Sequence, residues 1–372
     1  MRCSQAIINL SNLKKNFSNI RKKVHPAKVM AVVKADAYGH GVMEVVNALN
    51  SLEDKPEYYA VALLDEAIQL RENGIIQPIL VFDSIANSDV TYYFRYNLIP
   101  TIFTDSDIKS LMSAKRKYNY KQNICVHIKV DTGMNRLGVN HKDAFDFIRK
   151  VSMNDNFIID GIYTHFATSD VYNSYFAKLQ LKRFDQLITR LKDKNIPTGL
   201  IHAANSGAII NMPDSYFDMV RPGISLYGYY PSQSTNESVE LFPVMSIVSK
   251  VASVKKIKKG DTVSYSRKFK ATKPTKIASV SFGYADGYSR GMTNKGSAII
   301  KEKIFRQVGV VTMDRIMFDV GNADIKVGDE VILLGKSKKH EISGWDWCDI
   351  LKTIPYEITC SISKRVPRIY VD

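Results

Sequence analysis

From Lys28 to Val220 the chain alternates short apolar runs with stretches whose apolar residues recur at helical spacing. This alternation narrows the choice of fold more than any other feature. Lys28 to Val33, Tyr59 to Leu63, Pro78 to Phe82, Ile99 to Phe103, Ile124 to Val130, Ile158 to Thr164, Gly199 to Ala203 and Phe217 to Val220 read as strands. Between them lie helical patterns. Ser11 reads as the N-cap of a helix with Leu13, Phe17, Ile20 and Val24 on one face. Val42, Val45, Val46 and Leu49 make the next stripe. A helix from about Glu66 to Asn73 ends at Gly74, and Tyr175 to Leu191 gives the clearest late segment. Strands alternating with helices imply an α/β architecture with a parallel sheet. A (β/α)8 barrel fits the count up to about Gly228, and a doubly wound open sheet is its rival. Periodicity alone leaves both open.

The texture changes at Tyr230 to Glu240, where Pro231, Ser232, Ser234 and Asn236 mark a linker. Beyond it strand-like runs dominate: Ile247 to Val254, Thr262 to Tyr265, Lys276 to Phe282, Val308 to Thr312, Ile316 to Val320 and Glu330 to Leu334. We expect a barrel-like domain over 1–235 and a mostly β domain over 236–372, with residues 1–10 able to pair with the second. The length of 372 residues suits one large and one smaller domain.

Hydrophobic residues make up 45% and charged residues 24%, so a substantial core is available. The net charge of +15 is spread along the chain in short clusters such as Arg21-Lys22-Lys23. No aromatic residues interleave with them, so neither a nucleic-acid platform nor a membrane surface is expected. The four cysteines lack CxxC spacing and read as reduced thiols of a cytoplasmic protein. The N-terminal stretch from Met1 lacks the pattern of a signal peptide, and no apolar run is long enough to span a membrane. No GxGxxG follows a strand, no phosphate-binding GxxxxGK[ST] occurs, and no His or Cys set has metal-ligand spacing.

In a βα barrel, functional groups gather at the C-terminal ends of strands. Lys34 closes the run Val29-Met30-Ala31-Val32-Val33. Partial desolvation there would lower the ammonium pKa and expose a nucleophilic amine. A lysine snorkelling off the rim explains that segment equally well. Lys129 and Asp131, Arg136, His165, His202, Asn205-Ser206 and Arg221-Pro222-Gly223 fall at later strand ends. Each alone is explained as well or better by a cap, an ion pair or a satisfied core group. Their recurrence on one face favours a functional site. Ser206 to Ala208 and Gly223-Ile224 could offer backbone N–H groups to a phosphate.

These segments resemble the alanine racemase family. Val32-Val33-Lys34-Ala35-Asp36-Ala37-Tyr38-Gly39-His40-Gly41 is similar to that family's pyridoxal-phosphate attachment segment. The resemblance extends through Lys129 to Gly138, Thr164 to Ala167, Ala204-Asn205-Ser206 and Val220 to Ile224. It continues at Ser264-Tyr265, Gly283 to Gly287, Met313-Asp314, Tyr356-Glu357 and Arg365 to Arg368. It implies a pyridoxal 5'-phosphate barrel followed by a β domain, in a head-to-tail homodimer with shared active sites. It further implies that Lys34 carries the cofactor as a Schiff base and serves as one catalytic acid/base. Tyr265, from the other subunit, would be the second. Tyr38, Ser206, Gly223, Ile224 and Tyr356 would hold the phosphate, and Arg221 the pyridine nitrogen. His165 would pack near the ring or bond to that arginine, with His202 as its neighbour. Arg136 and Met313 would surround the substrate carboxylate. Lys129, carbamylated in some members, would brace Arg136. Tyr284 would stand at the active-site entrance, with Asp314 as a supporting residue. The implied activity is interconversion of L- and D-alanine, supplying D-alanine for peptidoglycan.

These residue types suit that chemistry. Racemisation removes the Cα proton on one face and returns one on the other, which two bases do directly. Arginine cannot accept a proton, so a ring nitrogen facing it stays neutral, which would suppress transamination. A tyrosine base, with a reference pKa of about 10, needs neighbouring positive charge. The chain departs from the family pattern at Val310, Thr312 and Arg315, where arginine, cysteine and glutamine are usual. Pro355 replaces an asparagine and Ser266 a glycine. Rival readings are a racemase of serine or another small amino acid, a barrel decarboxylase and a non-catalytic cofactor carrier. Arg221 weighs against the decarboxylase, which usually has a carboxylate at the pyridine. The β domain and Tyr265 weigh against the carrier.

Overall fold

The structure, a computed structural model, describes residues 3–85 and 90–372. Met1, which opens the stretch read above as lacking a signal peptide, lies outside them. The chain divides into two compact units. One holds Lys14–Ala37 and Val42–Leu241; the other holds the N-terminal segment up to Leu13, Tyr38–Gly41 and Phe242–Asp372. The division at Leu241 falls just beyond the stretch read as a linker.

The chain's first strand is β1 (Gln5–Asn9). The first unit is then built on β2 (Lys28–Val32), β3 (Tyr58–Val61), β4 (Ile79–Val81), β5 (Ile99–Ile102), β6 (Ile124–Asp131), the two-residue β7 (Val139–Asn140), β8 (Phe157–Tyr163), β9 (Leu200–Asn205) and β10 (Met219–Arg221). Apart from β7, which pairs only with β6, they bond in parallel in the order β5-β4-β3-β2-β10-β9-β8-β6. β5 then pairs back onto β6, with Thr101 opposite His127. Eight parallel strands therefore close on themselves, which excludes the open doubly wound sheet: that fold keeps two edges. Closure also explains the continuous apolar runs. β3 and β4 are buried at every residue, as strands covered on both faces must be.

Helices join the strands, and their ends follow local chemistry. Asp105–Lys117 starts with a reciprocal box in which Thr104 Oγ1 accepts the Asp107 N–H and Asp107 Oδ2 accepts the Thr104 N–H. Leu64–Glu72 ends at Asn73, with Gly74 at φ +82°. The first helix, Leu10–Val24, corrects one expectation. Its cap is Asn9, whose Oδ1 accepts the Asn12 N–H at 2.7 Å, and Ser11 lies inside the helix. Asparagine caps as well as serine does, so the helix starts two residues earlier.

The second unit contains β11 (Met245–Ile257), β12 (Thr262–Val263), β13 (Phe269–Lys270), β14 (Thr275–Val280), β15 (Ser297–Ile300), β16 (Lys303–Gln307), β17 (Ile316–Gly321), β18 (Glu330–Lys336), β19 (Glu341–Ile342) and β20 (Arg368–Val371). β11, β14, β17, β16, β15 and β18 form an antiparallel ring, closed by pairing of β18 with β11. β1 adds antiparallel to β11, and β20 adds parallel to β1. The mostly β expectation therefore stands, with one internal correction. Val308 to Thr312 is not a strand. Gly309 takes φ +76°, which breaks the extended path. The run is apolar because it is a buried loop, and side chains satisfy its backbone. Gln307 donates to the Val308 and Gly309 carbonyls, Asn294 and Thr293 accept from the Gly309 and Val311 N–H groups, and Ser264 donates to the Val310 carbonyl.

Candidate active site

In the barrel unit, Lys34 sits two residues past the end of β2. The backbone after it is unusual. Ala35, Asp36, Ala37 and Tyr38 have φ of 53°, 52°, 52° and 54°, so the segment Lys34–Gly39 winds as a left-handed turn. Such a conformation costs roughly 1–2 kcal/mol for each L-residue. Specific bonds hold it. Asp36 Oδ1 accepts the Val42 N–H at 2.8 Å, and Glu66 Oε1 accepts the Ala35 N–H at 2.5 Å. Glu66 Oε2 takes the N–H groups of Ala62 and Leu63 as well, so one carboxylate ties the turn to the strand-to-helix loop after β3. Strain imposed this consistently beside a strand-end lysine points to function.

Arg221 is the last residue of β10 and is only 2% exposed. Its Nη1 donates to His202 Nδ1 at 2.8 Å, and its Nη2 donates to the carbonyls of Thr164 and Ala203 at 2.7 and 3.0 Å. Burial lowers its pKa to about 10. The bond to the arginine comes from His202, while His165 stands one residue beyond the Thr164 carbonyl. Burial, reinforced by Arg221, pushes both histidines well below the usual imidazole range, so they are neutral. Tyr163 stacks on His202 at 4.9 Å and lies under Arg221 and Lys129, whose charged groups are 5.2 and 5.7 Å from its ring centre.

Lys129, near the end of β6, is buried. Burial, then the charges of Arg136 and Arg221, lower its pKa to about 8. Arg136 itself is exposed in the following loop. Ser206 opens the helix Ser206–Asn211 after β9. Its Oγ meets the Gly223 N–H at 2.9 Å, the Ser225 N–H at 3.3 Å and the Ser225 hydroxyl at 3.0 Å. Ile224 begins the short turn Ile224–Tyr227. Hydroxyl and amide groups thus gather around Ser206 Oγ, within a few residues of the buried Arg221.

In the β unit, Tyr38 and Tyr356 pair their rings at 5.9 Å. Tyr265 is 71% exposed on a strained loop, with Ser264, Ser266 and Arg267 at φ of 65°, 55° and 50°. The bond from Ser264 Oγ to the Val310 carbonyl, at 2.7 Å, fastens this loop to the buried Val308–Val311 run. Met313 and Tyr284 are exposed and adjacent, since the Tyr284 and Ala285 N–H groups donate to the Thr312 and Met313 carbonyls. Asp314 accepts from Arg365 at 2.6 Å.

Sequence reasoning missed His127, Asp160, Tyr163 and Glu66. His127 and Lys129 lie two apart on β6, so they share a face; that spacing was available. Asp160 stands beside Gly161 inside an apolar strand, which was a weaker signal. Nothing in Ala35 to Tyr38 announces a left-handed turn. Among the described residues, no His, Cys, Asp or Glu group could hold a metal, and no helix is long and apolar enough to cross a membrane.

A closed parallel barrel with a lysine, a buried arginine and a cluster of hydroxyl and amide groups at its strand ends, followed by a β unit bearing an exposed tyrosine, defines a two-unit barrel enzyme. The model for the alanine racemase N-terminal domain matches residues 8–231, and that for the C-terminal domain matches residues 244–370. The chain is 41% identical over 370 residues to an alanine racemase of Clostridium tetani, covering 98% of this chain and 95% of the relative. It matches the structure of an alanine racemase from Clostridium difficile 630 with a TM-score of 0.92 at 34% identity, covering 99% and 95% of the two chains. An alanine racemase from Bartonella henselae, solved with covalently bound pyridoxal phosphate, matches with a TM-score of 0.89 at 29% identity over all of both chains. The chain belongs to the alanine racemase family.

Proposed function

We propose that this protein interconverts L- and D-alanine with pyridoxal 5'-phosphate held at the strand ends of the barrel. The observation that carries the reading is the setting of Arg221. It ends β10 as a buried group that can only donate, supported by two carbonyls and a neutral imidazole. A ring nitrogen facing it accepts a hydrogen bond and stays unprotonated, which separates this site from one with a carboxylate at that position.

In the barrel unit Lys34, Arg221, Ser206, Gly223 and Ile224 would hold the cofactor, with His165 near the ring. Tyr38 and Tyr356 would add to the phosphate site. Bound there, the cofactor supplies an electron sink that acidifies the substrate's Cα–H. The Lys34 amine would take or return the proton on one face, and the Tyr265 phenol on the other. Arg136 and Met313 would receive the substrate carboxylate, Tyr284 would line the entrance, and Asp314 would support the Met313 loop through Arg365. The lowered pKa of Lys129 leaves a share of neutral amine near neutral pH. Reaction of that amine with CO2 would release a proton and give a carbamate able to brace Arg136.

The exposure of Tyr265 and its strained loop support a homodimer in which the tyrosine completes the partner subunit's site. In the cell, the cytoplasmic enzyme would supply D-alanine for peptidoglycan. One assay tests the reading: purified protein with added pyridoxal phosphate is given L-alanine, D-alanine or either enantiomer of serine. Racemisation of alanine ahead of serine is expected. Cofactor absorbance with no racemisation of any of them would overturn the proposal, and faster serine turnover would move the substrate.

A further inference from the structure

A line of polar side chains runs through the barrel, where branched apolar residues are the rule. It starts at Arg221 and passes to His202 at 2.8 Å, His127 at 2.9 Å and Asp160 at 3.0 Å. Tyr58 ends it, donating to the same Asp160 oxygen at 3.1 Å. These residues come from β10, β9, β6, β8 and β3. Both imidazoles are fully buried, while the Asp160 side chain is 28% exposed.

The line has one possible polarity. A guanidinium only donates, so His202 Nδ1 must accept and its proton sits on Nε2. His127 Nδ1 must then accept that proton's bond, which places its own proton on Nε2. That N–H needs an acceptor, and Asp160 Oδ2 is there. Reversing either tautomer would set two N–H groups against each other somewhere along the line.

The backbone is shaped for this ending. Val126 pairs with Ile159 and His127 with Gly161, so Asp160 is an extra residue in β8. Bulges re-aim side chains, and bulges in parallel pairs are rare. Gly161 clears the space, because a Cβ there would lie 2.7 Å from His127 Cε1.

We propose that Asp160 is a positioning residue and the remote counter-charge of Arg221. Through two neutral imidazoles of fixed tautomer it holds His202 as an acceptor, and so fixes the guanidinium that faces the cofactor ring. Among the described residues no carboxylate meets Arg221 in its own bonds, so the compensating charge stands two imidazoles away. Its effect on turnover rests on the racemase reading above; the tautomer pattern does not.

The test uses full-length, cofactor-loaded protein with 15N-labelled histidine, its signals assigned through His127→Phe and His202→Phe. Wild type should show His127 and His202 as Nε2–H tautomers at pH 7. A Nδ1–H tautomer or a charged imidazole at either position would overturn the proposal. Asp160→Asn keeps an acceptor and removes the charge. It should keep both tautomers, shift the His127 Nε2 resonance and lower kcat with little change in KM. Asp160→Leu removes both, should disturb the tautomers, and should lower kcat roughly ten- to a hundredfold. Unchanged histidine spectra and kcat in Asp160→Asn would overturn the proposal even if Asp160→Leu does not fold. Wild type with the stated tautomers and no racemisation would support the relay while ending the racemase reading.

Discussion

The two units hold their chemistry-bearing side chains in opposite ways. In the barrel, Arg221, His202 and His127 are buried and locked into a continuous network, and Lys129 is buried against the Tyr163 ring. In the β unit, Tyr265, Tyr284 and Met313 are exposed, and the backbone beside Tyr265 is what is constrained. A buried network fixes side-chain geometry within its own unit. A strained loop carrying an exposed tyrosine fixes only where the side chain starts. The first arrangement suits a cofactor platform complete in one chain, and the second suits a group delivered to another molecule.

The sharpest way to break this comparison is to remove the proposed acid/base from each side. Lys34→Ala should abolish racemisation and the bound cofactor's visible absorbance together, a loss of at least ~10³-fold in rate. Tyr265→Phe should leave that absorbance intact and lower racemisation by roughly 10²–10⁴-fold. The two enantiomers have equal energy, so kcat/KM must fall equally in both directions. The asymmetry belongs to α-proton exchange with deuterated water: one enantiomer should keep exchanging through Lys34 and the other should stop. Equal exchange of both would remove Tyr265 from its proposed role. Mixing Lys34→Ala with Tyr265→Phe sharpens the point further. If subunits exchange, hybrid dimers carry one wild-type site, and activity should return to a quarter or so of wild type at an equal mixture.

A next-largest effect lies at the end of β10. Arg221→Glu puts a group that can share a proton where only a donor stood. Racemisation should fall, and the ratio of transamination to racemisation, read from pyruvate formed per alanine inverted, should rise. An unchanged ratio would show that the donor-only character of Arg221 does not govern the outcome.

The difference between the units also bears on what a sequence can disclose. Strand and helix positions were legible because parallel strands covered on both faces must be continuously apolar, as in Tyr58–Val61 and Ile79–Val81. Closure of the barrel was not, because pairing of β5 with β6 is a long-range register that local periodicity does not encode. The strand-end residues Lys34, Lys129, Ser206 and Arg221 stood out as polar interruptions of apolar runs. Asp160 did not, because its role depends on a bulge and on Gly161. The Val308–Thr312 run misled because burial produces the same apolar composition in a side-chain-supported loop as in a strand.

Burial in the barrel makes a prediction about pH. The pKa of Lys129 falls from 10.5 to about 8 in the folded chain. Below about pH 8 the amine is charged in both folded and unfolded chains, and the fold bears the cost of burying it. Between about 8 and 10.5 the unfolded chain binds more protons, so this group's contribution makes stability rise with pH. The rise amounts to at most about 3 kcal/mol. Lys129→Met should remove it and stabilise the protein at pH 7, measured by denaturant midpoints in CO2-free buffer across pH 7–10. A wild-type profile unchanged by the substitution would mean that the amine is not held in the barrel as a strained cation. Carbamylation would reverse the picture by supplying a negative group beside Arg136, so added bicarbonate should stabilise wild type and leave Lys129→Met untouched.

The smallest effect tests the strained backbone on each side. Ala35 and Ser266 are exposed and sit at φ of 53° and 55°. In an ordinary helix, glycine in place of alanine costs roughly 0.5–1 kcal/mol. Here the left-handed conformation already costs an L-residue roughly 1–2 kcal/mol, which glycine does not incur. Glycine should therefore stabilise each site by up to about 1 kcal/mol, seen as a small rise in thermal midpoint. The functional consequences should differ. Ala35→Gly keeps the Glu66 and Asp36 bonds that fix the turn, so Lys34 stays in place and kcat should hold. Ser266→Gly loosens one backbone constraint beside an exposed side chain, so kcat should fall while KM for alanine barely moves. A fall in both variants would mean that the turn after Lys34 relies on side-chain strain as much as the Tyr265 loop does, and the contrast between the two units would narrow to burial alone.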